Sequence, residues 1–251
     1  MAQISARARN MLATVRQLGW RDGAWHACAR LLQAVPGARC ALHRYRFVAQ
    51  PVVPGSLCRG RGKAIVVTPC LAAQDLPAGP MRPRAVLDQR YRQGAQCLVA
   101  RTDQSGSGMA GWLWLLRGAC QEDEVRARYV LAPHAAWDLD VWVHPGQRGA
   151  LVFARLWEEA NALLHAQGVR CSVSRIASGN RASLAAHARL GAVTLGWAIF
   201  LRCGRWQWMA SSLRPYVHLS RHAGSFPRFA FDRRILSATP PPEPPCHTLT
   251  P

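Results

Sequence analysis

Asp138 and Asp140 stand two residues apart in Trp137-Asp138-Leu139-Asp140-Val141-Trp142-Val143-His144, an alternating run that a β-strand would sort by face. With a side-chain period of two, Asp138, Asp140, Trp142 and His144 look to one side and Leu139, Val141 and Val143 to the other. Two carboxylates looking out together can move protons; the competing reading pairs them with arginines such as Arg126, Arg128 or Arg175 on adjacent strands. Asn180, Ser183 and His187 form a second constellation. At i, i+3 and i+7 they share one helical stripe about two turns long, which a single ligand could touch. Asn before a helical run is also an ordinary N-cap. Between these groups, Pro145-Gly146-Gln147-Arg148-Gly149-Ala150 leaves the strand and opens a helical segment. Unpaired N–H groups and the helix dipole at such a start accept an anion without a charged side chain.

The elements that must position these residues follow from periodicity and turn chemistry. Ala64–Thr68 is a β-branched strand and Arg82–Gln93 a helix marked by Pro83. Cys97–Arg101 and Met109–Leu116 are strands joined by a Gly/Ser-rich loop, and Val125–Leu131 and Trp137–Val143 continue a meander. Gly149–Gln167 has helical apolar spacing, Val169–Ile176 is a strand, the Asn180 helix follows, and Val193–Leu201 and Arg205–Ala210 close the order. That order is α/β. Residues 1–62 read as a basic extension and connector, with helices at Arg7–Leu18 and Ala24–Val35 and a strand at Leu42–Val48. Met11, Leu12, Val15 and Leu18 make an apolar stripe suited to docking on the main domain, the expectation adopted, or on an anionic membrane surface. Residues 63–220 read as the main domain and 221–251 as a tail, Pro-rich and disordered from 240.

Composition narrows the classes. The chain has 251 residues, is 49% hydrophobic and can bury one substantial core. It has no apolar run long enough to span a bilayer and no signal-peptide core at its start, so a cytoplasmic location is expected, with peripheral membrane association as its variant. Nine dispersed cysteines without a C-x-x-C pair argue for reduced thiols and against a metal site. The net charge is +19, carried by arginine, since Lys63 is the one lysine. Such a field suits anionic lipid, an acidic carrier protein, CoA phosphates or nucleic acid; without an RNA- or DNA-binding motif the last rests on charge alone.

The run Asn180 to Ala192 resembles the acyl-CoA-binding helix of the GNAT superfamily of N-acetyltransferases, keeping Asn180, Ser183, His187 and Gly191 at its marked places. Val143 to Leu151 resembles the family's pyrophosphate turn, with Leu151 and Phe153 where small residues are usual. The resemblance implies a mixed, mostly antiparallel twisted sheet flanked by helices, and an acyl-CoA co-substrate, acetyl-CoA or another, held by Val141, Val143, Arg148, Gly149, Ala150, Leu151, Asn180 and Ser183. It implies acyl transfer to an amine, small or conjugated, by direct attack. Asp140 is then the first candidate base, Asp138 the second, and His187 the acid facing the departing thiolate. Trp142 and Glu124 are candidate substrate contacts, although Glu122-Asp123-Glu124 reads first as a solvated hairpin. The alternatives are a catalytically weak member that binds an acyl carrier or protein partner, and a basic nucleic-acid or membrane-surface protein. The acceptor and the oligomeric state are not readable. Side-chain bulk at Leu151 predicts weak CoA binding that Leu151→Gly would tighten.

Overall fold

A computed structural model describes residues 20–33, 40–76, 82–102, 108–148 and 151–232. The expected helix Arg7–Leu18, Gly149 and Ala150 of the anion turn, and the tail from Pro240 lie outside these residues. The elements are α1 (Trp20–Gln33), β1 (Cys40–Pro51), β2 (Ile65–Cys70), α2 (Arg84–Arg92), β3 (Gln96–Thr102), β4 (Met109–Arg117), β5 (Ala119–Gln121) and β6 (Arg128–Leu131). There follow β7 (Ala135–Val143), α3 (Val152–Ala166), β8 (Cys171–Ala177), α4 (Arg181–Arg189), β9 (Val193–Cys203), β10 (Trp206–Ser211), β11 (Val217–Ser220) and β12 (Arg228–Phe231). No helix among the described residues is long and apolar enough to cross a membrane.

Nine strands form one sheet in the order β11-β10-β9-β1-β8-β7-β4-β3-β2, and β12-β6-β5 form a small second sheet. All pairs of the large sheet are antiparallel except β7 with β8. The mixed, mostly antiparallel sheet flanked by helices is thus the fold class expected. Its two faces are built differently. On one, Phe47 meets the rings of Tyr129, Trp137, Phe229 and Phe231, so aromatic side chains weld the small sheet to the large one. On the other, α3 buries Val152, Leu156, Trp157, Ala160 and Leu164, the i, i+4 and i+3 spacing of one apolar stripe, against Leu98, Ala100, Leu113 and Leu115. Gly111 permits this seat: a Cβ there would lie 2.5 Å from the Trp142 carbonyl oxygen and 3.2 Å from Val152. Truncating Trp157 to alanine would cost about 3–5 kcal/mol, as for a fully buried aromatic.

Three expectations are corrected. The boundary after Gly62 does not mark the start of the fold, because β1 lies between β8 and β9 in the middle of the large sheet. Its alternating histidine and arginine residues hid it: Tyr45, Phe47 and Ala49 are buried, and their partners are supplied by segments far along the chain. The tail likewise begins later than residue 221, since β12 pairs with β6 in parallel. Finally, the cysteines are not all thiols. Cys40 and Cys203 are direct cross-strand partners of β1 and β9 and are joined as a disulfide. Across 163 residues of separation no spacing rule could pair them.

Candidate active site

The strands β7 and β8 begin as a regular parallel pair, Ala135 with Cys171 through Asp138 with Ser174, and then part. Beyond that point β8 continues against β1 alone and β7 against β4 alone. The opening between them is a cleft of about 420 Å³, walled by Leu139, Asp140 and Val141 on one side and Arg175 to Gly179 on the other, with His43, Tyr45, Glu124, Ser183 and His187 around it.

A bulge sets the chemistry of this cleft. Along β4 the register steps from Trp114 opposite Asp140 to Leu115 opposite Asp138, so Leu139 is an extra residue on β7. The insertion inverts the alternation expected from sequence. Asp138 turns to the α3 and α4 face and Asp140, with Trp142, to the small-sheet face. The two carboxylates do not share a side, because strand periodicity holds only while every residue is paired.

Asp138 is buried among neutral polar groups. Ser174 Oγ donates to its Oδ2 at 2.7 Å, and His187 Nε2 lies 3.7 Å away. Burial pushes its carboxyl up to about 7, against the Ser174 hydrogen bond, which pulls the other way. His187 is 2% exposed and held at the second nitrogen, Nδ1 standing 3.0 Å from Gln50 Oε1. That contact makes Nδ1–H the donor and leaves Nε2 bare toward Asp138. The rings of Phe153 and Trp157 meet the imidazole edge-on, and burial pushes it down to about 4. His187 is therefore a neutral, packed histidine, not an exposed proton donor. Asp138, by contrast, keeps a proton up to about pH 7, and its buried Oδ1 makes no hydrogen bond among the described residues.

Asp140 meets arginines instead of solvent. Arg90, 4% exposed, spans Asp140 Oδ2 at 3.2 Å and Asp123 Oδ2 at 3.0 Å, and Arg82 Nε lies 3.5 Å from the same Asp140 oxygen. The ion-pair reading holds, but with Arg82 and Arg90 and not with the strand arginines anticipated. Glu122-Asp123-Glu124 is no solvated hairpin either. Arg175 grips Glu122 at 2.8 Å and Glu124 at 2.8 Å, its guanidinium 4.1 Å from the centre of the Tyr45 ring. Burial raises the Glu122 carboxyl to about 7, with Arg175 opposing. In Glu124 burial is outweighed by Arg175 and by the Tyr45 hydroxyl, which donates to Oε2 at 2.8 Å, so its carboxyl sits below the usual range.

One member of this wall was missed in the sequence. His43 on β1 stacks on Tyr45, and its Nδ1 lies 3.9 Å from Glu124 Oε1. Its Nε2 is buried with no protein partner. Burial lowers its pKa, with Glu124 working against that and Arg175 and Arg202 with it, so the ring is neutral at pH 7. The signal available was the alternation of Leu42-His43-Arg44-Tyr45, which reads as a strand but does not say that the strand is central.

Of the remaining candidates, Asn180 caps α4, its Oδ1 accepting from Ser183 N at 3.1 Å, and both line the cleft. Trp142 stacks on Trp112 with ring centres 4.3 Å apart and stands outside the cleft lining. Arg148 is exposed beside the start of α3. Leu151, the N-cap of α3, makes no side-chain cap and packs with the α3 core and against Gly62. It is partly buried and turns toward that core. No group of three or more His, Cys, Asp or Glu side chains that could hold a metal occurs among the described residues.

No protein-family model matches the chain, and no curated protein does. Solved structures that are similar to it are mostly GNAT acetyltransferases, the superfamily that the Asn180 helix resembles. One is a protein of unknown function from Staphylococcus epidermidis, at 9% identity and a TM-score of 0.44, covering 65% of this chain and 62% of that one. Another is a tandem GNAT protein from the clavulanic acid biosynthesis pathway, at 18% identity and 0.43, covering 71% and 57%. A third is a GNAT-family protein from Novosphingobium aromaticivorans, at 15% and 0.39, covering 65% and 66%. The chain thus spans less than two thirds of the length of the first two.

Proposed function

We propose that this chain is a divergent GNAT-type N-acyltransferase that moves an acyl group from acyl-CoA to an amine by direct attack. The observation that carries the reading is the parting of β7 and β8 at Asp138 and Ser174, which opens a cleft lined by the start of α4 at Asn180 and Ser183. The residues fit the substrate's parts. The first N–H groups of α3, with Arg148 nearby, suit a pyrophosphate, and the edges of Leu139 to Val141, Asn180 and Ser183 suit an amide-bearing arm. In this reading the amine nitrogen forms the new C–N bond as the C–S bond breaks. The proton leaving nitrogen goes to neutral His43, whose imidazolium Glu124 would stabilise, and the carboxyl of Asp138 supplies one to the thiolate.

This division of roles gives a distinctive pH dependence. Transfer needs His43 unprotonated, so the rate rises through its lowered pKa and is level near neutrality; it needs Asp138 protonated, so the rate falls above about 7. The test is the pH–rate profile with an aromatic amine that stays unprotonated throughout. His43→Gln should lower the rate by on the order of 10²-fold and remove the ascending limb. Asp138→Asn should remove the descending limb. Profiles unchanged in both variants would exclude these assignments. A second reading, a GNAT-fold protein that binds an acyl carrier without catalysis, is favoured by the arginine pairing of Asp140, and CoA binding without transfer would identify it.

A further inference from the structure

Among the described residues, the end of the large sheet formed by β9, β10 and β11 is covered on one face only. Ala198, Phe200, Gln207 and Met209 point into the core. The alternate residues form the other face, where Trp208 stands between Leu201 of β9 and Leu219 of β11, and Trp206 and Val217 extend it on the flanking rungs. Trp197, Trp206 and Trp208 are each more than two fifths exposed, and Val217 is 62% exposed. Indole is costly to leave in water at this scale without a partner.

Charge identifies the partner's chemistry. Between Glu159 and Asp232 the sequence contains no acidic residue, and arginines frame the apolar face. Arg205 and Arg221 lie over the Trp206 ring, 5.6 and 5.8 Å from its centre, and Arg214 lies 5.9 Å from that of Tyr216. Among the described residues none of these three guanidiniums is in an ion pair. A second copy of the same face would bring arginine against arginine, which is repulsive. A nucleic-acid strand would use the rings as stacking platforms but gains nothing from the aliphatic Val217 and Leu219 between them. An interface of apolar depth beneath a layer of phosphates satisfies both sets: indoles settle at headgroup level, aliphatic side chains below them, and arginines on the phosphates.

We propose that the β9–β11 face docks on the surface of an anionic lipid bilayer. The test uses the full chain with vesicles of phosphatidylcholine and phosphatidylglycerol in equal parts, against phosphatidylcholine alone, with brominated lipid as a short-range quencher of tryptophan. Wild type should bind the anionic vesicles, keep part of that binding when salt screens the charges, and lose tryptophan emission to the bromine. Arg205→Gln and Arg221→Gln should each weaken binding about fivefold, the effect of one basic side chain near such a surface. Trp206→Ala with Trp208→Ala, both exposed and outside the core, should remove most of the quenching and of the salt-resistant binding while the melting transition stays. Quenching undiminished in the double variant would overturn the proposal, as would binding that salt removes completely. Tryptophan-dependent binding of an oligonucleotide, or tryptophan-dependent dimers in sedimentation, with no bromine quenching would overturn it in favour of those partners.

Discussion

The two faces of the cleft solve the burial of polar groups in opposite ways. On the α3 and α4 side, Asp138, Ser174, His187 and Gln50 are joined by hydrogen bonds or close contact and are uncharged between about pH 4 and 7, because burial raises the acid and lowers the base. On the small-sheet side, Arg90 and Arg175 each bridge two carboxylates, so charge is kept and compensated. One inserted residue, Leu139, decides which aspartate joins which face. The lesson is that two identical side chains two residues apart acquire different chemistry from one extra backbone unit, with no change in the residues themselves.

The largest effect should come from β1, which serves both faces. Deleting residues 1–50 removes the strand between β8 and β9, together with His43, Tyr45 and Gln50. No cooperative melting transition should remain, and a soluble truncation with native circular dichroism would break the account of the fold. Next, Arg175→Met strands two carboxylates on the charged face and should cost about 3–5 kcal/mol in denaturant unfolding. The variant should recover much of that with Glu122→Gln, and equal loss in single and double variants would show that the pair is not the cause.

The neutral face gives a smaller effect with a defined sign. The Asp138 carboxyl titrates at about 7 in the folded chain against 3.8 as its ordinary value, so the folded state binds more protons between those values. Stability from this group is full at low pH and is lost as pH rises toward about 7. Asp138→Asn should therefore stabilise the protein at pH 8 by on the order of 1 kcal/mol and do less at pH 5, where His187, lowered to about 4, is also still neutral. Chemical denaturation at the two pH values reads this, and a larger gain at pH 5 would reverse the assignment. The smallest effect concerns Leu151. Since it packs inward, Leu151→Gly should lose roughly 1–2 kcal/mol of stability and leave CoA affinity unchanged by calorimetry, in place of the tightening that the sequence suggested.

Much of the scaffold was legible because it rests on local rules. The α3 stripe, the strand β4 and the Asn180 cap follow from periodicity and capping within a few residues. What was not legible depends on pairing at a distance. β1 reads as a basic extension until β8 and β9 flank it, Cys40 meets Cys203 only across that pairing, and the Leu139 bulge exists only relative to β4. The site suffered most, since the types of Asp138, Asp140 and His187 are legible in the sequence but their faces and protonation depend on that bulge and on Gln50 from β1.

The central claim is that the gap between β7 and β8 receives an acyl-CoA. Ala177, exposed at the end of β8, lines the gap and can be enlarged without touching the core. Calorimetric titration with acetyl-CoA should give one site in the wild type and at least about tenfold weaker binding in Ala177→Trp, a loss of about 1.4 kcal/mol, with the melting temperature unchanged. Equal affinity in both proteins, or no binding to the wild type, would contradict the account.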